Sequence, residues 1–220
     1  MTPSYARTWH ALTALVAIAA LVLQLALLLQ GGEVLDAVTQ PVSGESIYHF
    51  FAYFTVESNL LVAAAALTLA IDPRRDGRGW RVLRLAGTVA ITVTAVVHFY
   101  LLRPLLDLDG LDWIADKSLH LVVPLLAVVG WLVWGPRPRV TGRVVALALV
   151  FPIAWTAWTM LFGAVDSWYP YPFLDPDEDG WGAVVVAVVG ITAFFLLLFG
   201  GYSYADRRMP AAPRPDNVVP

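Results

Sequence analysis

The chain is 220 residues long, 59% hydrophobic and only 14% charged, with a formal net charge of -3 and a mean hydropathy of +0.68. Soluble globular domains run at about 45–50% apolar and about 25% charged residues, so the composition excludes an ordinary soluble enzyme and points to one polytopic membrane domain. Cysteine is absent, which removes disulfides, thiolate nucleophiles and thiolate metal ligands together.

Six apolar segments are long enough to cross about 30 Å of hydrocarbon at about 20 residues each. They fall at 9–30, 48–71, 83–103, 116–135, 143–163 and 181–203, which predicts an all-α bundle of six transmembrane helices over 1–205. The first segment exceeds the apolar core of a signal peptide, about 7–15 residues, and ends at Gln30-Gly31-Gly32 without an Ala-x-Ala-like site, so it is expected to be a retained helix. Connections such as 72–77 and 135–139 combine Gly, Pro and charge, which are stop and turn signals. The stretch 206–220 is Pro-rich and is expected to be a disordered tail. No solenoid-type repeat is present.

Orientation follows from the basic residues, which concentrate in cytoplasmic loops. Twelve of the fourteen lie at one end of the bundle, in the N-terminal segment, the second and fourth connections and the tail, while the opposite end holds only Arg103 and Lys117. Both termini are therefore expected in the cytoplasm. Acidic residues such as Asp175, Asp177, Glu178 and Asp179 give the outer loops negative character; this run lacks the EF-hand pattern and reads as a solvated loop. Arg in place of Lys, with heavy Ala, Val, Gly and Pro usage, reads as a GC-rich bacterial genome, and the expected location is the bacterial plasma membrane.

Polar chemistry inside hydrocarbon is costly and marks a candidate site. The second helix carries Thr55, Glu57, Ser58 and Asn59 in an otherwise apolar run. Helical spacing puts Thr55, Ser58 and Asn59 on one face and His49, Tyr53 and Glu57 on another. Given the orientation, Thr55 lies roughly 10 Å below the outer edge and His120 of the fourth helix roughly 6 Å, at about 1.5 Å per residue, with His98 of the third helix at a similar depth. Asp116 precedes His120 by one turn and is placed to fix its tautomer. Thr55 as nucleophile, His120 as general base and Asp116 as orienting group follow the logic of activated hydroxyl nucleophiles. A hydrolase also needs an oxyanion donor, for which Asn59, Ser58 or a backbone group is available.

Each of these residues also has a structural reading. A membrane Thr ordinarily bonds a backbone carbonyl or packs between helices. His98 is read as a satisfied core residue, and Glu57 as a hydrogen-bond partner of His49 or His98. Trp155, Trp158, Trp168, Tyr169, Tyr171 and Trp181 are read as packing and interface aromatics. No Gly-x-Ser-x-Gly elbow, His-Glu-x-x-His pair or phosphate-binding loop is present.

Three stretches are similar to the androgen-induced protein family, which includes the androgen-dependent tissue-factor-pathway-inhibitor-regulating protein, and to its bacterial six-helix relatives. Residues 50–55, Phe-Phe-Ala-Tyr-Phe-Thr, resemble an aromatic-rich approach to a membrane Thr. Residues 118–124, Ser-Leu-His-Leu-Val-Val-Pro, resemble a His followed by Pro, and residues 168–174, Trp-Tyr-Pro-Tyr-Pro-Phe-Leu, resemble a segment before the last helix. The resemblance implies a threonine hydrolase of fatty acid esters of hydroxy fatty acids, with Thr55 as nucleophile and His120 as its partner. Asp116 stands where animal members carry Asn, and Tyr-Phe-Thr-Val-Glu-Ser-Asn at 53–59 belongs to the bacterial branch, which separates the chemistry from the substrate.

The sequence therefore leads to a membrane hydrolase of lipid acyl esters. Thr55 and His120 carry its chemistry, Asp116, Asn59, Ser58, His98 and Glu57 support them, and the lipid bilayer supplies the substrate. No cofactor, metal or nucleic-acid partner is expected. The competing reading is a lipid or small-molecule binder or transporter using Glu57 and His98 as a proton-linked pair.

Overall fold

A computed structural model describes residues 3–30 and 44–212. Within them the chain is helical: α1 (Pro3–Leu29), α2 (Gly44–Ala52), α3 (Phe54–Ile71), α4 (Arg78–Val97), α5 (Gly110–Lys117), α6 (Val123–Trp134), α7 (Gly142–Ala148), α8 (Val150–Asp166) and α9 (Pro176–Arg208). Joined across short irregular turns, these make six helical spans long and apolar enough to cross a membrane: Ser4–Leu29, Phe54–Ile71, Arg78–Leu105, Gly110–Trp134, Gly142–Asp166 and Pro176–Arg208. Their outward faces carry bare Val165, Val186 and Leu197, each at least 70% exposed. Contiguous apolar surface of this kind is matched to lipid rather than to water.

α3 is the central helix. Small residues let its neighbours approach: Ala17 of α1 is fully buried in a cluster with Val62 and Ala63 of α3, Ile91 of α4 and Val123 of α6. On α4, a Cβ at Gly87 would sit 3.0 Å from Leu61 Cβ and 3.2 Å from its carbonyl carbon. Gly87→Ala therefore forces α4 away from α3. Close backbone approach through small side chains is the usual basis of helix association in lipid.

Three features depart from uniform helices. The segment expected as one helix over 48–71 breaks at Tyr53, whose backbone is extended (φ -65°, ψ 126°). The break is held from outside: Trp155 Nε1 of α8 donates to Ala52 O (3.0 Å), and the Tyr171 hydroxyl accepts from Thr55 N (3.3 Å). Two wide π-type turns, His98–Leu102 and Ser118–Val122, interrupt the third and fourth spans. Each precedes a proline, Pro104 and Pro124, which cannot donate a backbone hydrogen bond and crowds the carbonyl four residues back; widening the turn relieves the conflict.

At the arginine-rich end the chain closes on itself. α9 continues through Arg208, and Arg137 pairs with Ala212 in an antiparallel bridge. Residues 206–212 are thus packed against the 135–140 connection, correcting the expected disorder there; residues 213–220 lie outside the described residues.

Candidate active site

Thr55 is the second residue of α3 and inherits the geometry of the Tyr53 break. Its hydroxyl lies 3.2 Å from His120 Nε2. The other imidazole nitrogen, Nδ1, is 3.0 Å from the Asp116 backbone carbonyl and 3.0 Å from its carboxylate Oδ1. Both are acceptors, so Nδ1 carries the proton and Nε2 is left to accept from the Thr55 hydroxyl. His98 stacks on His120 with centroids 3.7 Å apart and planes within 11°. Its Nε2 approaches the same Asp116 oxygen at 3.0 Å, too obliquely for a directed hydrogen bond. Lys117 Nζ closes on the second carboxylate oxygen of Asp116.

The structure thus brings Thr55, His98, Asp116 and His120 together. Both histidines sit in the π-type turns, whose wider pitch sets the two rings face to face.

Ser58 and Asn59 are placed differently from the expected oxyanion role. Asn59 Nδ2 donates to Thr55 O (2.8 Å) and Leu119 O (3.4 Å). Ser58 Oγ donates to Thr55 O (3.1 Å) and lies 3.0 Å from Thr94 Oγ1. Both are fully buried. Their donors are spent on backbone and on α4, so they brace the turn that presents Thr55 and have none left for an oxyanion. Glu57 is half-buried and is not the partner of His98, which pairs with Asp116. Nor does it share a face with His49, because the Tyr53 break removes the common helical register; His49 stacks on Trp168 (3.6 Å).

Tyr171, read from the sequence as a packing aromatic, belongs to the site. Its hydroxyl is 3.4 Å from Thr55 Oγ1 and accepts from the backbone of Thr55 and Phe54. These first-turn amides have no partner within α3. With its oxygen occupied as an acceptor, the phenol keeps its own proton for donation. Burial pushes its pKa up to about 12, so the proton is retained across the physiological range. The only sequence signal was its place in the 168–174 stretch.

Two cavities meet at Thr55, and Tyr171, His98 and Leu102 line both. The larger, about 460 Å³, lies between α4, α8 and α9 and is lined chiefly by apolar residues, including Val93, Trp155 and Phe195. Its rim residues Ile153 and Leu196 are more than half exposed, so it opens sideways. The smaller, about 50 Å³, lies against α1, α2 and α5.

His98, Asp116 and His120 each offer a ligand atom, all within 4.8 Å of one another. The stacked rings lie in nearly parallel planes, so their in-plane lone pairs cannot both point at one ion, and Lys117 holds the second carboxylate oxygen. The arrangement is that of a hydrogen-bonded relay. A tetrahedral metal centre would need the imidazoles splayed.

Together these features define a six-span helical bundle with a buried Thr–His–Asp array at one end. Comparison with protein-family models, curated proteins and solved structures returns no match for the chain.

Proposed function

We propose that the protein is an integral membrane hydrolase of lipid acyl esters, acting through Thr55 within the outer leaflet with both termini in the cytoplasm. The observation that carries the reading is the 3.2 Å contact between Thr55 Oγ1 and a His120 nitrogen whose opposite nitrogen is held by Asp116. A hydroxyl nucleophile needs a base within about 2.6–3.2 Å and a third group orienting that base. The resemblance to the androgen-induced family points to the same two residues.

In this reading an ester enters from the bilayer with its acyl chain in the cleft between α8 and α9, a volume within the range of ligand pockets, about 300–1,000 Å³. Thr55 Oγ attacks the carbonyl carbon as its proton passes to His120 Nε2. The carbonyl oxygen becomes an oxyanion, and the Tyr171 hydroxyl donates to it. The first-turn amides of α3 put a positive dipole end at the same place. Collapse breaks the ester C–O bond, His120 returns the proton to the departing alcohol, and the acyl group remains on Thr55. Water, deprotonated by His120, then attacks the acyl-threonine, and as the C–Oγ bond breaks to release the fatty acid His120 returns that proton to Thr55 Oγ.

The transport reading is disfavoured by two observations. His98 pairs with Asp116 instead of Glu57, and the bundle centre beyond Asn59 is filled by Val62, Ala63, Ile91 and Val123, which offer no polar path.

The test is hydrolysis of a nitrophenyl acyl ester by protein purified in detergent, with fluorophosphonate labelling in parallel. Turnover and labelling are expected in the wild type and absent from Thr55→Ala. Equal turnover in both would remove Thr55 as the nucleophile.

A further inference from the structure

We propose that the smaller cavity is the subsite for the alcohol half of the ester and that it takes a short polyhydroxylated alcohol of the glycerol class; the assignment of an alcohol half rests on the hydrolase reading above. The two cavities share Thr55 and Tyr171, so a carbonyl held between these residues sends one substituent into each. The apolar cleft fits the acyl chain. The other substituent enters a space of about 50 Å³, room for about three to five waters at about 10–15 Å³ apiece by that measure. That is the bulk of a two- or three-carbon alcohol.

The chemistry of the walls narrows the class. Phe50 and Leu102 supply apolar sides, but besides the Thr55–His120 array, Tyr171 and the Tyr53 ring, two further polar groups line the same cavity. Asp112 Oδ1, in the first turn of α5, is fully buried and makes no hydrogen bond. Gln24 of α1 is 9% exposed, in the middle of the most apolar stretch of that span. Asp112 as a whole is half-buried, but its enclosed oxygen is cut off from water and stays unsatisfied unless a ligand donor meets it. Lys117, the nearby cation, is already held by Asp116.

An alcohol with a free hydroxyl satisfies both groups, donating to Asp112 and accepting from the Gln24 amide. A carboxylated or phosphorylated alcohol sets like charges together in a low-dielectric cavity. A quaternary ammonium alcohol would neutralise Asp112 but leaves the Gln24 amide without a hydroxyl. A simple aliphatic alcohol leaves Asp112 Oδ1 unpaired and offers the Gln24 amide no acceptor. The fit is therefore to a monoacylglycerol-type ester.

Two measurements on the detergent-purified full chain separate this inference from the hydrolase reading. The first compares hydrolysis of a 1-monoacylglycerol with that of an acylcholine and of a carboxylated hydroxy fatty acid ester carrying the same acyl chain. The glycerol ester is expected to be preferred in kcat/KM by about tenfold or more, the worth of one charge-assisted hydrogen bond. Asp112→Asn and Gln24→Leu are expected to erase that preference. The second uses no catalysis: a 1-O-alkylglycerol ether should raise the melting temperature more than the fatty alcohol of equal chain length, and the same variants should abolish the difference. Equal shifts from ether and alcohol overturn the inference, as does a preference for the choline or carboxylated ester. An ether-specific shift with no hydrolysis of any ester leaves a glycerolipid site standing and sinks the hydrolase reading alone.

Discussion

Both ends of the bundle bury charge, and they dispose of it in opposite ways. At the arginine-rich end the buried charges Arg137 and Asp206 hydrogen-bond to backbone. Arg137 donates to Trp131 O (2.7 Å), Leu132 O (2.9 Å) and Pro210 O (3.1 Å), and Asp206 Oδ2 accepts from Arg139 N and Val140 N, both at 2.8 Å. At the other end the buried groups meet one another: Thr55 on His120, His120 and His98 on Asp116, Asp116 on Lys117. Backbone amides and carbonyls do not change ionisation state near neutral pH, so the first arrangement fastens connections to helices. Titratable side chains in contact can pass a proton, and only the second arrangement also opens on cavities. Burial of charge alone does not mark a site; burial against other titratable groups beside a cavity does.

The sharpest test of this contrast exchanges the losses. Thr55→Ala should cost about a thousandfold or more in ester turnover with little change in thermal unfolding. Asp206→Ala should cost about 3 kcal/mol or more of stability, because it strands two buried amides and leaves Arg84 and Arg137 without their nearby anion. Activity per folded molecule should survive that substitution. The comparison fails if Asp206→Ala abolishes turnover in molecules that remain folded.

Tyr171→Phe comes next in size. Removing one oxyanion donor costs about a hundredfold or more in kcat, and KM should move little, because the phenol meets developing charge more strongly than the ground-state carbonyl. The same phenol limits the alkaline side: with its pKa raised to about 12, its proton is present at lower pH and lost only as pH rises through that value. No activity loss from Tyr171 is expected up to pH 10. A wild-type decline near pH 10 that Tyr171→Phe removes would contradict this protonation state.

Asp116→Asn should be milder than loss of Thr55, at about 100-fold, the low end of general-base effects, because the Asp116 backbone carbonyl still holds His120 Nδ1 at 3.0 Å. A chelator should leave turnover unchanged. Loss with chelator and recovery with zinc would reassign His98, Asp116 and His120 as metal ligands.

How much of this was legible in the sequence follows from which interactions are local. Six apolar runs are a property of consecutive residues, and all six spans are present. The Asp116 to His120 spacing is one helical turn, so their contact could be read directly. What could not be read depends on partners more than a hundred residues away. The Tyr53 break exists because Trp155 and Tyr171 hold its backbone, and it turned Thr55 from a mid-helix residue into a helix start. Tyr171 reads from the sequence as a packing aromatic for the same reason, because its contact with Thr55 spans more than a hundred residues. Pro104 and Pro124 were a local signal for the two π-type turns that the apolar pattern overshadowed.

The smallest effect concerns the exposed rim of the arginine-rich end, where Asp76 joins Arg81 (2.6 Å) and Arg139 (3.1 Å) and so ties the second connection to the fourth. The Arg81 hydrogen bond holds the Asp76 carboxyl well below its ordinary value of 3.8. A depressed folded pKa means the stabilisation is complete above that ordinary value and is lost as pH falls below it toward the folded one. Because the side chains are about a third exposed, screening keeps the contribution under about 1 kcal/mol. Asp76→Asn should therefore lower the melting temperature slightly at pH 7, and the gap to wild type should hold down to about pH 4 and narrow only as pH falls further. A gap that stays constant through acid would mean that the charge of Asp76 contributes nothing, leaving Arg137 and Asp206 with their backbone partners to hold this end of the bundle.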